Sequence, residues 1–377
     1  MADRMEITLL APPPLMTSRV LQNFTSYSFS SDLYELADMA EVTVPVGELG
    51  NVQPGYQIVA QVVDDERSAI SVAVFAGTVD AVVHEYNKTA HNVTLRCRDY
   101  SAFLVDEYCS KFTDYTVGTA LRVYNDLVDN VSAVKYLDLS VQDLFKLYNS
   151  KDLLAHVFTS ANPFKVSPGD TVAGKLQELA VRMGVDFYYL EDGKVLFGKL
   201  NVLRIKEQLS GVGVHALYNT WLKPNVNIKS CSFVNDLSGR YSKIRVFGQS
   251  QQGKTFYSTT YDNSLLWNKF MIVNFNDLEE SLETRGIEIR EEQREAGFEL
   301  EYNVVGHTQM GQAWQVNREV DVADDTIGVR DRYLVNSRTM TYGPTSGTET
   351  YLRLGLVKDY TNDPPPPITG NSWKPLG

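Results

Sequence analysis

Residues 75–106 read FAGTVDAVVHEYNKTAHNVTLRCRDYSAFLVD, and the alternation inside this stretch decides the fold. Val93, Leu95 and Cys97 alternate with Thr94, Arg96 and Arg98. Successive side chains of a strand point to opposite faces, so this run is a strand with one face buried and one wet. Residues 78–84 form a second such run, and the polar Asn87-Lys88-Thr89 between the two predicts a hairpin. Just upstream, residues 58–63 and 70–79 are β-branched runs around the charged turn 64–67, which predicts a further hairpin. Residues 24–110 are therefore expected to form a small antiparallel barrel or sandwich.

Residues 111–200 change character. A helix is predicted over 117–128, with Leu121, Tyr124 and Val128 along one side. Ser167-Pro168-Gly169-Asp170-Thr171 starts a second helix, with capping residues and acidic charge at its N-terminus. Val172, Leu176, Leu179, Ala180 and Met183 form its apolar stripe, and Gly184 ends it. Residues 185–190 and 195–197 then flank the Asp192-Gly193 turn, a hairpin. A helix against a hairpin makes a compact α+β module.

Strands return from residue 225 onwards, with an insertion. Residues 243–248 alternate, whereas 277–296 read as a charged helix with eight acidic residues and three arginines. Its apolar stripe of Leu278, Leu282 and Ile289 is thin, so it is expected on the surface with few core contacts. Residues 298–305, 318–322, 333–341 and 350–357 are four more alternating strands. Four prolines, Pro364 to Pro367, then impose an extended, polyproline-type tail. The chain thus divides into a first strand-rich domain (1–112), an α+β module (113–222), a second strand-rich domain (223–360) carrying a charged helical insertion around 251–297, and the tail (361–377).

Composition narrows the function. The chain has 377 residues, enough for two or three domains at about 150 residues each. Lys and Arg number 35 against 47 Asp and Glu, a net charge of -12, which is a poor basis for gripping a phosphate backbone. Three cysteines (Cys97, Cys109, Cys231) without a CxxC pair suit a reducing cytosol and no disulfide scaffold. Residues 1–16 contain Asp3, Glu6 and three prolines, unlike a signal peptide, and no apolar run approaches the roughly 20 residues of a membrane span.

No catalytic pattern stands out. The five histidines (His84, His91, His156, His215, His307) have no metal-ligand spacing, and no GxSxG elbow or phosphate loop is present. Gly211-Val212-Gly213 lacks the third glycine of a dinucleotide fingerprint. The acidic runs Asp64-Asp65-Glu66 and Asp324-Asp325 sit in turns, where solubility and turn chemistry explain them. No catalytic, cofactor-binding or metal residue is therefore assigned, and no cofactor is expected.

Three stretches together resemble the hub proteins of contractile phage-tail baseplates, the Mu-type hub and the late control protein D group. The first is Gly77-Thr78-Val79-Asp80, followed by Val93 to Asp99 and Leu104-Val105-Asp106; it is similar to a "G-x-[IV]-D … V-x-G-R-D … L-[IV]-D" pattern, with Cys97 where the family often has glycine. The second is Gly169-Asp170-Thr171, Met183-Gly184-Val185 and Asp192-Gly193-Lys194. The third runs through Arg290, Arg294, Val304-Val305-Gly306-His307, Trp314-Gln315-Val316-Asn317, Tyr333-Leu334-Val335 and Gly347-Thr348-Glu349-Thr350.

The resemblance implies a β-rich α+β multidomain fold, with two tube-protein-like antiparallel β-barrels and the helix-hairpin module. It implies a homotrimeric ring in the virion tail baseplate, assembled in the host cytoplasm. That ring would join the hexameric tail tube, or a distal tail protein, to a trimeric central spike and touch other baseplate proteins. Genome DNA would pass without specific binding, and no membrane insertion is implied. Pro364, Pro365 and Trp373 of the tail are the interface candidates. The competing reading is a tail-tip protein that degrades peptidoglycan or binds carbohydrate.

Overall fold

The computed structural model describes residues 4–357 apart from 13–14, 16, 51, 64–70, 87, 89–90, 137–144, 149, 161, 184, 192, 199–214, 221–226, 250–254, 276–281 and 310. The turn at 64–67, most of the turn at 87–89, the Gly184 stop and the whole tail with Pro364, Pro365 and Trp373 lie outside the described residues. The chain forms two compact units, one of Met1–Phe233 with Leu300–Gly355, the other of Val234–Glu299 with Leu356–Gly377.

The first unit is built on a 13-stranded sheet. Its path starts at Ile228–Asn235, passes through Phe298–Val305, Gly347–Leu356 and Val329–Gly343, crosses to Ser26–Asp32 and Met39–Pro45, and continues through His91–Asp99, Ser71–Tyr86 and Gln57–Val63 to Arg4–Leu10 and Ser18–Leu21. The β-rich α+β character expected from the sequence is borne out. Pairing among the described residues closes no barrel. Instead the two strand-rich ends are continuous, because Ser337–Tyr342 and Tyr27–Asp32 pair antiparallel.

Alternation explains the core. Ile7, Val42, Val44, Ile58, Val93 and Leu95 are fully buried while their neighbours in sequence face outwards. Each such side chain contributes about 1.5–3 kcal/mol by leaving water. The two hairpins read around residue 75 share one strand: Ser71–Tyr86 is a continuous strand of 16 residues that pairs with Gln57–Val63 on one side and His91–Asp99 on the other. Its register shifts between Val79 and Ala81, so Asp80 is an extra residue in the ladder.

The α+β module is present. Helix Ala120–Val128 begins with Thr119 accepting from the Arg122 backbone, and helix Val172–Met183 with Thr171 accepting from the Gly174 N–H at 3.1 Å. The hairpin Asp186–Leu190/Lys194–Gly198 turns through Gly193 at φ 80°, a conformation that costs glycine little. Strand Lys146–Tyr148 adds a parallel partner beside Lys194–Gly198, which alternation over three residues does not reveal. Tyr124, Phe158, Phe164, Leu176, Leu179 and Phe197 share the core of this module.

The second unit holds a sheet in the order Thr255–Tyr261, Lys243–Gln249, Phe270–Phe275. The charged helix covers Leu282–Ala296 and packs on the first two of these strands. Two findings correct the expectations for this region. The residues ahead of the helix contain two strands, and the helix is no surface rod with few core contacts. Gly286, Ile287, Ile289, Arg290 and Glu291 are buried, with Ile289 in one cluster with Ile244 and Val246. A Cβ at Gly286 would meet Thr260 Oγ1 at 2.3 Å, so the helix approaches the sheet as closely as a backbone can.

Candidate interaction surfaces

The first motif becomes a closed cluster once folded. Gly77 lies opposite Asp99, and a Cβ there would meet the Arg98 carbonyl oxygen at 2.1 Å, so only glycine lets these strands approach. Arg98 donates from Nε to the bulge residue Asp80 and forks onto Asp106 at 3.2 and 2.7 Å. One guanidinium thus ties the three parts of the motif together. Asp99 is buried and accepts from the Ser101 N–H at 3.0 Å and the Ser101 hydroxyl at 2.6 Å. Burial raises its carboxyl to about 7, against the lowering effect of those donors. Neighbouring Asp38 is raised as well, by burial and then by Asp99. Cys97 is buried in the same strand and burial pushes its thiol up, so it is a packing residue.

The second motif is a helix start. Gly169 takes φ 94°, Asp170 accepts from the Ser167 N–H at 2.8 Å, and Lys175 reaches back to Asp170 at 3.2 Å. Of the third motif, Arg290 and Arg294 lie on the Leu282–Ala296 helix of the second unit, whereas His307, Trp314 and Thr350 of the first unit make buried polar contacts. Thr350 Oγ1 donates to the Gly306 carbonyl at 2.7 Å, so it accepts from His307 Nδ1 at 2.9 Å. His307 Nε2 lies 2.8 Å from the Tyr27 hydroxyl, so one ring bridges two strands. Trp314 passes its carbonyl to Arg338 Nη1 at 2.6 Å, and Arg338 Nη2 donates to the Val74 carbonyl at 2.8 Å. Glu191 lies 3.4 Å from the same guanidinium and accepts from the Val316 N–H at 3.3 Å. These roles join residues distant in sequence and serve architecture.

His215, His84, His91 and the acidic pair at 324–325 make structural contacts too. His215 is buried against Trp314, ring centroids 4.3 Å apart, and burial lowers it to about 4. His84 and His91 face each other at 3.4 Å on neighbouring strands. Asp324 accepts from Asn219 at 3.0 Å and from the Tyr302 hydroxyl at 3.2 Å, while Asp325 pairs with Arg330. Among the described residues no group of three or more His, Cys, Asp or Glu is placed to hold a metal. Asp64-Asp65-Glu66 and Gly211-Val212-Gly213 lie outside the described residues.

What the fold offers outward is surface. The main path of this sheet runs between Ser18–Leu21, whose first three residues are exposed, and Ile228–Asn235, with no buried residue, while His215–Asn219 ends a side branch through Glu319–Asp324. Such edges are templates for another chain. In the second unit, the sheet face away from the helix is a grid of three rows, Tyr261–Lys243–Phe270, Thr259–Arg245–Ile272 and Tyr257–Phe247–Asn274. Arg245 lies 4.7 Å over the Tyr257 ring and 5.5 Å over Phe270, and Lys243 lies between Tyr261 and Phe270 at 5.9 and 5.6 Å. A cleft of about 620 Å³ opens beside the first row, bordered by Asp262, Asn268 and Lys269. Sequence reading missed this face. The signal was Lys243-Ile244-Arg245-Val246-Phe247, whose alternation already puts both cations and a ring on one side.

No protein-family profile matches the sequence, and no curated protein matches it. Solved structures do. A tail protein from Neisseria meningitidis MC58 is 19% identical, with 94% of this chain and 98% of that one covered at a TM-score of 0.71. The 43 kDa tail protein of prophage MuSo2 from Shewanella oneidensis is 16% identical over 94% and 99%, at 0.66. The E. coli c3393 protein, described as a type VI secretion component with structural similarity to T4 tail proteins gp27 and gp5, is 9% identical over 92% and 77%, at 0.51. The chain therefore has the fold of phage tail proteins, and the hub-like resemblance read from its motifs holds at the level of fold.

Proposed function

We propose that this chain is a structural baseplate hub of a contractile phage tail, forming a homotrimeric ring between the hexameric tail tube and a trimeric central spike. The observation that carries it is the near end-to-end match, 94% of this chain on 98% of the Neisseria tail protein. Two strand-rich regions in one subunit let three subunits present six similar surfaces to a sixfold tube and three to a spike. Closed rotation keeps such interfaces finite. The edge strands Ser18–Leu21 and Ile228–Asn235 are the sites where neighbours complete the sheet. The domain limits at 112, 222 and 360 follow from this reading, and Pro364, Pro365 and Trp373 are its proposed contacts with a neighbouring copy.

The protein works by geometry in this reading, not by catalysis, in the virion tail and beside other baseplate proteins. The net charge of -12 repels a passing genome from the channel wall, so DNA slides through. Incubating purified chain with tail-tube polymers and imaging them tests the assignment. Density capping one end of each tube supports it, and chain bound along the tube sides or not at all counts against it. Release of cell-wall fragments by the purified chain would favour the peptidoglycan-degrading alternative.

A further inference from the structure

The cation-and-ring face of the second unit is costly to leave in water. Tyr257 is 61% exposed, Phe270 47% and Ile272 57%, on the outward side of a sheet whose other side is covered by the Leu282–Ala296 helix. Isolated apolar residues on a surface are ordinary, but a contiguous patch marks a binding surface. Its rings stand with Lys243 and Arg245 between them, which suits an occupant that is flat-sided, extended and acidic.

We propose that this face receives the proline-rich tail of a neighbouring copy, with Pro364–Pro367 lying across the Tyr261–Lys243–Phe270 row. The proposal rests on the hub reading, which supplies the neighbour. Polyproline segments dock on aromatic-lined surfaces because they are already extended and lose little entropy on binding. The dimensions agree. Four prolines at about 3.1 Å each extend about 12 Å. Three strands about 4.8 Å apart span about 10 Å between the outer two. Asp363 immediately precedes the prolines and is opposite in charge to Lys243 and Arg245 of the central strand. Pro364 lies seven residues beyond Val357, a reach of about 22 Å as polyproline.

The test uses the full chain with a photo-crosslinking phenylalanine at Ile368 and, separately, at Trp373. Heavy-isotope and light-isotope chains are mixed before assembly, irradiated and mapped by mass spectrometry. The expected result is cross-links from the tail of one isotope to residues 243–275 of the other. They should fall about tenfold in Tyr257→Ser/Phe270→Ser, whose exposed positions leave the fold intact. Lys243→Glu should weaken them and Lys243→Glu/Asp363→Lys should restore them. Cross-links confined to one chain, cross-links to other regions, or a charge swap without rescue would overturn the proposal. Light scattering on the same sample separates the two readings: a trimer without these cross-links overturns only the docking, and a monomer overturns both.

Discussion

Arg338 is wholly buried, with its fork divided between the carbonyls of Trp314 and Val74 and the carboxylate of Glu191. Arg338→Met should cost about 3–5 kcal/mol, because it leaves Glu191 buried without its partner. Arg338→Lys should recover little, since a point charge cannot serve three acceptors set at fork geometry. Denaturant unfolding checks both, and Glu191→Gln/Arg338→Met should lose less than the two single changes added together. Two buried groups of the same unit give opposite pH dependence. Asp99 is raised to about 7, so its contribution is complete near pH 4 and is lost as pH rises towards 7. His215 is lowered to about 4, so its contribution is complete above about pH 6.5 and is lost as pH falls towards 4. Asp99→Asn should therefore make the melting temperature fall more steeply between pH 7 and 5, and His215→Gln should make it rise or flatten. About 1 kcal/mol corresponds to roughly 2–4 °C for domains of this size. Nothing in the run 333–341 marks Arg338 as buried, because its partners lie 24, 147 and 264 residues away.

Between Leu282 and Ala296 the helix owes its seat to a residue without a side chain. Gly286→Ala should destabilise the second unit by about 1–3 kcal/mol, because the added carbon meets Thr260 Oγ1. Thr260→Ala in the same chain should return part of that loss. Gly47, in the short helix Val46–Leu49 with nothing within 4 Å of a Cβ, should tolerate alanine with a change of at most about 1 kcal/mol. Thermal unfolding of the three variants decides whether close approach or flexibility explains Gly286. The same helix shows where sequence reading runs out. Its existence was legible in the charges, but a glycine used for close approach adds nothing to an apolar stripe. Strand Thr255–Tyr261 stayed hidden for a related reason: TFYSTTY has rings and hydroxyls on both faces and so no hydropathic alternation. The hairpin Asp186–Leu190/Lys194–Gly198 and the run His91–Asp99 were legible because one face is apolar and the turn residues are constrained. The first motif was legible as a pattern, but the clamp of Arg98 on Asp80 and Asp106 needs the bulge at Asp80, which pairing alone creates.

For the whole chain, sequence and structure meet in a fold shared with phage tail proteins. The DNA passage proposed above, past a chain of net charge -12, predicts no retention of duplex DNA at about 0.15 M salt, where exposed charges are already screened beyond roughly 8 Å. Filter binding or electrophoretic retardation reads this directly, and salt-sensitive binding would contradict it. Symmetry is the deeper commitment. A hub needs one sequence to satisfy sixfold and threefold partners, so the subunit must close into a ring of three. Light scattering of the purified chain combined with class averages of stained particles measures this in one preparation. A hub of this kind gives three chain masses and a threefold ring with a central hole; a compact, closed twofold dimer would contradict it.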